Sequence, residues 1–419
     1  MADVTFGPFN LDASATRLLR DGVEIRLRPQ AMLALRALLR HAGETVRYEQ
    51  MIAEAWDGTM VSRHTVDVTV GEVRRSLGDY GSWIVNRTKI GYKLEVPRSD
   101  ELVQRGWHFW NRRTREGLVR AIECFEQAHI ETPSDRRALV GLSESYLALA
   151  TFGMRPPRDM YTHFIETHTR AVELGGLTPD LRCDRAHALH MFERRRDDAE
   201  AEFLRAIEED AALTIAYLRL ARLYATSQRV PQALEMVRQC GAINPLLPLL
   251  PATETLVRFW QRDYEGAIEA GAKGVELHPY LHVIRSNYAQ ALEYSGRLDD
   301  ALTQYRAAIA MSPDLTWLRT HEGACLAKLG RHDDALAVLD VIEHIRRSEY
   351  VDAYYMAIFQ EALGQRDAAF DELARAFTEN SVLLFSVDAD PKMDTLKDDP
   401  RFRPLRDELY CLSNTSTLL

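Results

Sequence analysis

The chain has 419 residues, 46% apolar and 27% charged, the balance of a folded protein with more than one core. A formal net charge of −10 argues against uniform coating of a nucleic acid, but residues 1–98 hold 14 Lys+Arg against 12 Asp+Glu, for +2, and the remainder carries −12. No stretch reaches the roughly 18 uninterrupted apolar residues of a membrane helix: the best candidate, Leu246 to Trp260, is broken by Pro248, Pro251, Glu254 and Arg258.

Residues 3–27 alternate in short apolar segments: Val4, Phe6 and Phe9, then Arg17 to Leu19, then Ile25 and Leu27. Turn signals at Gly7-Pro8 and Asp21-Gly22 separate them, which predicts a small antiparallel sheet. Three helical patterns follow, at Pro29 to His41, Tyr48 to Trp56 and Val61 to Leu77. The third carries Val66, Val70, Val73 and Leu77 at helical spacing, with Ser62 as a candidate cap. Trp83 to Val96 reads as a hairpin with the polar tip Asn86-Arg87-Thr88-Lys89. Sheet, three helices and hairpin is the order of a winged helix-turn-helix. In that order Arg63, His64, Thr65 and Thr69 lie at the start of the third helix, where side chains reach base edges and amides face phosphate. Glu72, Arg74 and Arg75 follow along it. Arg87, Thr88 and Lys89 on the hairpin, with Tyr92, complete the candidate DNA-binding set.

Arg28-Pro29-Gln30, Val61-Ser62, Thr65-Val66-Asp67-Val68, Val73 to Asp79 and Thr88…Gly91-Tyr92-Lys93-Leu94 together resemble the OmpR/PhoB-type transcriptional regulatory domain of bacteria. The resemblance implies that the third helix enters the major groove of promoter DNA and the hairpin touches the neighbouring minor groove or backbone. It also implies a homodimer on repeated half-sites, and contact of Asp57 to Met60 with RNA polymerase. The chain departs from the family at Gly71 and Glu72, where basic residues are common, and Glu72 repels phosphate while it accepts from cytosine.

Beyond residue 98 the sequence repeats. Ala199, Ala233, Ala267, Ala301, Ala335 and Ala369 are each 34 residues apart, as are Gly296, Gly330 and Gly364, and Pro245, Pro279 and Pro313. In the unit His282 to Leu315, one helix carries Tyr288, Ala289 and Leu292, a turn follows at Ser295-Gly296-Arg297, and a second helix carries Ala301, Tyr305 and Ala308. Antiparallel helices approach closely only where Ala or Gly removes bulk, and such hairpins bury their faces by stacking. This pattern resembles the tetratricopeptide repeat. The chain is expected to be mostly α, with a winged domain at 1–98, about eight hairpins over 101–380 and a capping segment at 381–419 that includes a polar helix after Asp390. Joined to the winged helix, such an array resembles CadC-like and HilA-like regulators, without the membrane helix that usually follows the winged domain in CadC-like proteins.

Trp107 and Trp110, at helical spacing, suit the packing of a first hairpin better than a ligand platform. Arg219, Arg222, Asn287 and Gln290 fall where a groove for a protein or peptide partner would run, and they equally suit ordinary surface. The five cysteines, Cys124, Cys183, Cys240, Cys325 and Cys411, are odd in number and scattered, so buried free thiols are expected rather than disulfides or a metal site. No cofactor motif or catalytic constellation is visible, and no enzyme is expected. The N-terminus lacks the pattern of a signal peptide, so the expected place is the cytoplasm. The expected function is promoter recognition by the winged helix, under a signal received by the array. The alternative is a tetratricopeptide scaffold with a vestigial winged helix.

Overall fold

A computed structural model describes residues 4–6, 9–11, 17–20, 23–96 and 98–407. The chain forms two compact units, Met1–His108 with Glu123–Ala138, and Phe109–Ile122 with Leu139–Leu419.

The first unit opens with an antiparallel sheet of β1 (Val4–Phe6), β2 (Phe9–Leu11), β3 (Leu18–Arg20) and β4 (Val23–Ile25), in that spatial order. The two turn signals expected at Gly7-Pro8 and Asp21-Gly22 lie outside the described residues. Helices α1 (Pro29–Arg40), α2 (Tyr48–Ala55) and α3 (Arg63–Ser76) follow, and β6 (Ile84–Arg87) and β7 (Gly91–Leu94) form the wing. A strand that the sequence did not announce, β5 (Thr45–Arg47), pairs with β7 and makes a second sheet of order β5-β7-β6. Its three residues are too short for alternation to register. Gly91, at φ 156°, is required there, because a Cβ would strike the Val46 carbonyl. Leu35, Leu38, Val66, Val70, Val73 and Leu94 are fully buried in one core. Within this unit Trp107 packs edge-on against Phe125 at 5.2 Å, as a helix-packing residue.

Sixteen helices run from residue 98 to residue 378 among the described residues: α4 (Arg98–Trp110), α5 (Arg115–Glu131), α6 (Arg136–Thr151), α7 (Pro157–Gly175), α8 (Pro179–Ala188), α9 (Arg196–Glu209), α10 (Thr214–Thr226), α11 (Val230–Ile243), α12 (Leu249–Trp260), α13 (Tyr264–Leu277), α14 (His282–Tyr294), α15 (Leu298–Met311), α16 (Thr316–Lys328), α17 (His332–Arg346), α18 (Ala353–Ala362) and α19 (Arg366–Thr378). Successive helices pair as the hairpins of an α-solenoid. The 34-residue register has a direct structural meaning. Ala199, Ala233, Ala267, Ala301, Ala335 and Ala369 are each the fourth residue of the second helix of a hairpin, and each has 0% exposure. There the helices touch, and a larger side chain would force them apart.

The same register governs the turn between the two helices. Arg194, Gln228, Arg262, Gly296, Gly330 and Gly364 are 34 apart, and all six have φ between 57° and 89°. Three are glycines, which adopt this left-handed geometry without strain. Two of the other three hold the C-terminal segment. Arg262 is bidentate to Asp394, and Arg194 donates to the Ser381 carbonyl at 3.3 Å. Gln228 is exposed and holds no such contact. Gln228→Gly is therefore expected to stabilise the array by up to about 1 kcal/mol in chemical denaturation; a loss of stability would show that the turn is unstrained.

The C-terminal segment is the polar capping helix expected of it only at residues 402–407, and before that it departs from the expectation. Residues 381–407 fold as short elements: 3-10 turns at Val382–Ser386 and Pro391–Met393, one helical turn at Asp394–Lys397, and a largely exposed short helix over residues 402–407 that buries Phe402. Val382, Leu384, Phe385, Val387, Met393 and Leu396 are at most 2% exposed. Apolar residues in that order have no single helical face, so the segment buries them by turning repeatedly. It covers the last hairpin and also runs back over the inner side of the array, where Tyr354 Oη donates to Asp390 at 3.0 Å and Lys392 Nζ donates to Gln290 at 2.8 Å. It meets a single π turn, Leu189–Glu193, at the end of α8, with His190 edge-on to Phe385 at 4.9 Å.

Candidate nucleic-acid interface and the interior of the array

The start of α3 is built by its cap. Ser62 Oγ accepts from the Thr65 amide at 3.2 Å, and the Ser62 and Thr65 hydroxyls lie 2.9 Å apart. The helix then sorts its residues by side. Val66, Thr69, Val70 and Val73 are buried, while His64, Val68 and Arg75 are exposed on the opposite face with Gly71 between them. Thr69, a candidate base reader from the sequence, has 6% exposure and spends its hydroxyl on the Thr65 carbonyl at 2.9 Å. Val68, which the sequence reading passed over, is 46% exposed on the outer face. Its methyls suit a thymine methyl. Thr69→Val is accordingly expected to leave base preference unaltered and affinity within about twofold, whereas Val68→Ser should shift preference at one base pair. Competition binding with single-base variants of the target duplex would check both, and a preference change with Thr69→Val would contradict this placement of α3.

Glu72 does not face outward as a free charge. It accepts from Arg28 Nε at 2.6 Å, from the Arg28 amide at 3.2 Å, and from Arg28 Nη2. Those hydrogen bonds hold its carboxyl below the usual range. Arg28 thereby offsets the acidic departure noted in the sequence.

Arg74 also turns inward. Its guanidinium donates to the Ile84 carbonyl at 2.9 Å and lies over the Tyr92 ring at 5.5 Å, which ties α3 to the base of the wing. Tyr92 is 3% exposed and donates to Asp67 at 2.6 Å, and Tyr48 donates to the same carboxylate oxygen at 2.8 Å. Burial and the Asp67 hydrogen bond push both phenols up. Asp67 therefore joins α2, α3 and β7, a positioning role that only the geometry reveals. Arg63 lies over the Tyr48 ring at 5.2 Å and remains exposed.

At the wing, Arg87, Thr88, Lys89 and Ile90 are all exposed. Arg87 donates to Glu95 at 2.9 Å, where Lys93 also pairs at 2.8 Å. Such surface pairs exchange readily for phosphate contacts. Lys89, at φ 66°, and Arg75 form no ion pair among the described residues. Arg47 on β5 is exposed beside the wing and was not legible without that strand.

The four groove residues of the array are brought together, but around a cavity. Arg219, Arg222, Asn287 and Gln290 all line a space of about 190 Å³ whose wall is the first helix of successive hairpins and whose remaining side is the C-terminal segment. Arg219 is the anchor of a buried network. It donates to Glu144 at 3.0 and 3.2 Å and to Asp184 at 2.6 Å, and its Nη1 lies 3.4 Å from Cys183 Sγ. Burial and the adjacent Glu144 carboxylate push Asp184 well above the usual carboxylate range. Burial opposes the charge of Glu144 as well, but Arg219, the Asp184 hydrogen bond and Arg113 outweigh it and keep Glu144 ionised. Asn287 donates to the Ala252 carbonyl at 2.9 Å. Cys124, Cys183, Cys240 and Cys325 are buried and free, and Cys411 lies outside the described residues. Among the described residues no group of three His, Cys, Asp or Glu is placed to hold a metal ion, and no helix is long and apolar enough to cross a membrane.

Comparison with known proteins agrees with this division. Residues 22–94 match the family "transcriptional regulatory protein, C terminal", and residues 292–354 match the tetratricopeptide repeat; both are non-enzymatic kinds of domain. The chain is similar to the transcriptional activator CadC of Escherichia coli K12, with 30% identity over 98 residues, 22% of this chain and 19% of that protein. It is similar to the transcriptional regulatory protein CutR of Streptomyces coelicolor, with 39% identity over 85 residues, 20% of this chain and 39% of that one. The matches thus span well under half of either relative. Among solved structures, a monomeric IFIT1 mutant with Gppp-AAAA shares the fold at a TM-score of 0.53 and 14% identity, over 87% of this chain and 84% of that one. The N-terminal module belongs to the OmpR/PhoB-type transcriptional regulatory domains, and the chain that carries it continues as a tetratricopeptide array.

Proposed function

We propose that the chain is a sequence-specific regulator of transcription, in which α3 enters the major groove and the array receives the signal. The observation that carries this is the outer face of α3. His64, Val68, Gly71 and Arg75 follow the helical repeat, with the acidic neighbours taken up: Glu72 by Arg28, and Asp67 by the Tyr48 and Tyr92 hydroxyls. Gly71 leaves room for close approach, Val68 supplies an apolar contact, and Arg63 and the Ser62-capped amides face phosphate. The wing brings Arg87, Thr88 and Lys89 to the adjoining backbone or minor groove. The exposed loop Asp57 to Met60, in which Met60 is 96% exposed, offers a surface for RNA polymerase. Two copies on repeated half-sites would give the affinity that one winged domain lacks.

The charge of −12 beyond residue 98 favours a second reading, a scaffold whose winged helix no longer binds DNA. Genome-wide occupancy mapping of the tagged chain separates the two. Discrete peaks at promoters are the expected result, and their absence would support the scaffold.

A further inference from the structure

The cavity inside the array contains more positive charge than its own carboxylates answer. Arg219 is matched by Glu144 and Asp184, and Lys392 pairs with Asp390 at 3.2 Å. Arg113 and Arg222 have no hydrogen-bond partner among the described residues; Arg113 lies over the Trp110 ring at 3.4 Å and Arg222 over the Phe385 ring at 5.4 Å. Arg222 is half-buried, its Nε is shut off from solvent without an acceptor, and part of its side chain faces the cavity. Three further polar atoms of the lining are buried and unpartnered: Thr151 Oγ1, His187 Nδ1 and Trp317 Nε1. Burial and the nearby arginines hold His187 well below its ordinary range, so it is a neutral ring. Unmet polar groups are rare in native interiors, and here they converge on one space. The rest of the lining is largely apolar and aromatic, with Trp260, Trp317, Tyr355 and Phe385. At about 190 Å³ the space exceeds the roughly 150 Å³ of a cavity that takes up benzene.

We infer that this cavity is a binding site for a small organic oxyanion, a carboxylate or phosphate carried on a ring or short apolar body. The acid group would sit against the Arg113 and Arg222 guanidinium groups, and the body against the aromatic wall. Phe385, Ser386, Asp390 and Lys392 belong both to this wall and to the C-terminal segment, so an occupied site and a docked segment support one another. The inference deepens the proposed function by naming the class of signal, and it rests on the array being the receiving part.

Benzoate, phenyl phosphate, inorganic phosphate and the neutral benzyl alcohol are the probes. Thermal melting of the full chain is recorded with each at matched ionic strength, for the natural sequence and for Arg222→Met and Arg113→Gln. Benzoate or phenyl phosphate should raise the melting temperature saturably, benzyl alcohol should not, and whichever anion acts identifies the acid group. Arg222→Met without probe should melt at or above the natural chain, because it removes a half-buried charge that has no ion-pair partner, yet bind the active anion at least tenfold more weakly. Arg113→Gln should weaken it similarly, which keeps the test open if one variant folds poorly. An equal shift with benzyl alcohol or the same response in both variants would show binding that does not read the acid group, and no saturable shift with either organic anion would show a cavity that holds water only; each would overturn the inference. DNA binding by the unliganded chain is measured in parallel, so a chain that binds DNA but no anion sinks this inference alone.

Discussion

Replacing Arg75 and Lys89 together by glutamate is expected to lower affinity for the target duplex by roughly a hundredfold or more near physiological salt. Both side chains are exposed and neither forms an ion pair among the described residues, so their full charge is available to phosphate. They lie on different elements, the far end of α3 and the wing tip, and therefore report on two separate contacts with the backbone. Each reversal removes one counterion-releasing contact and adds repulsion, so the slope of log affinity against log salt should become shallower by about 2. Arg87→Ala should cost less than Lys89→Ala, because Glu95 already shares the Arg87 charge. Fluorescence anisotropy across a salt series gives both quantities. An unchanged salt slope would place the DNA elsewhere on the chain.

Arg219→Met is expected to destabilise the array by about 3–5 kcal/mol, the cost of leaving buried partners without their cation. Arg219 is 8% exposed and touches Glu144 through Nη2 and both Asp184 and Cys183 through Nη1. Without it Glu144 loses the charge that keeps it ionised and must take up a proton or drag in water. Arg222, three residues on, has the opposite expectation. It makes no hydrogen bond, and burial followed by repulsion from Arg219 lowers it to about 10, so its removal is neutral or stabilising. Urea denaturation of the two variants compares them directly. If both lose stability equally, Arg222 has a structural partner and the surplus charge of the cavity is not real. Combining Arg219→Met with Glu144→Gln should recover part of the loss, because the pair is then removed together.

The 34-residue arithmetic made the array legible because close helix contacts tolerate only small residues, and all six alanines lie at such contacts. The same arithmetic held a further signal, since Arg194, Gln228 and Arg262 occupy the register of Gly296, Gly330 and Gly364. Arginine at a left-handed turn marks an outside demand, and the C-terminal segment supplies it at Arg194 and Arg262. Most of that segment was misjudged because its apolar residues are buried turn by turn, a pattern without a period; only the short helix at residues 402–407 is polar and exposed as expected. In the winged domain the order of elements was readable, but β5 was too short to show. The side of α3 was misjudged at Thr69, where a polar residue is buried by satisfying its hydroxyl on its own helix. Tyr92 and Arg74 belong to the candidate set by motif, and the structure turns both toward the joint between α3 and the wing. Arg219, Arg222, Asn287 and Gln290 were chosen as one partner groove; they do converge, but on a cavity that the chain partly closes with its own C-terminal segment. No spacing rule brings residue 392 beside residue 290.

The most direct test of the central claim is selection of duplexes by the purified full chain from a random pool, followed by affinity measurement at several salt concentrations. The account predicts enrichment of a defined motif, most informative where α3 presents His64, Val68, Gly71 and Arg75, bound at least a thousandfold more tightly than random duplex. Equal affinity for selected and random DNA, with the same salt slope for both, would contradict it.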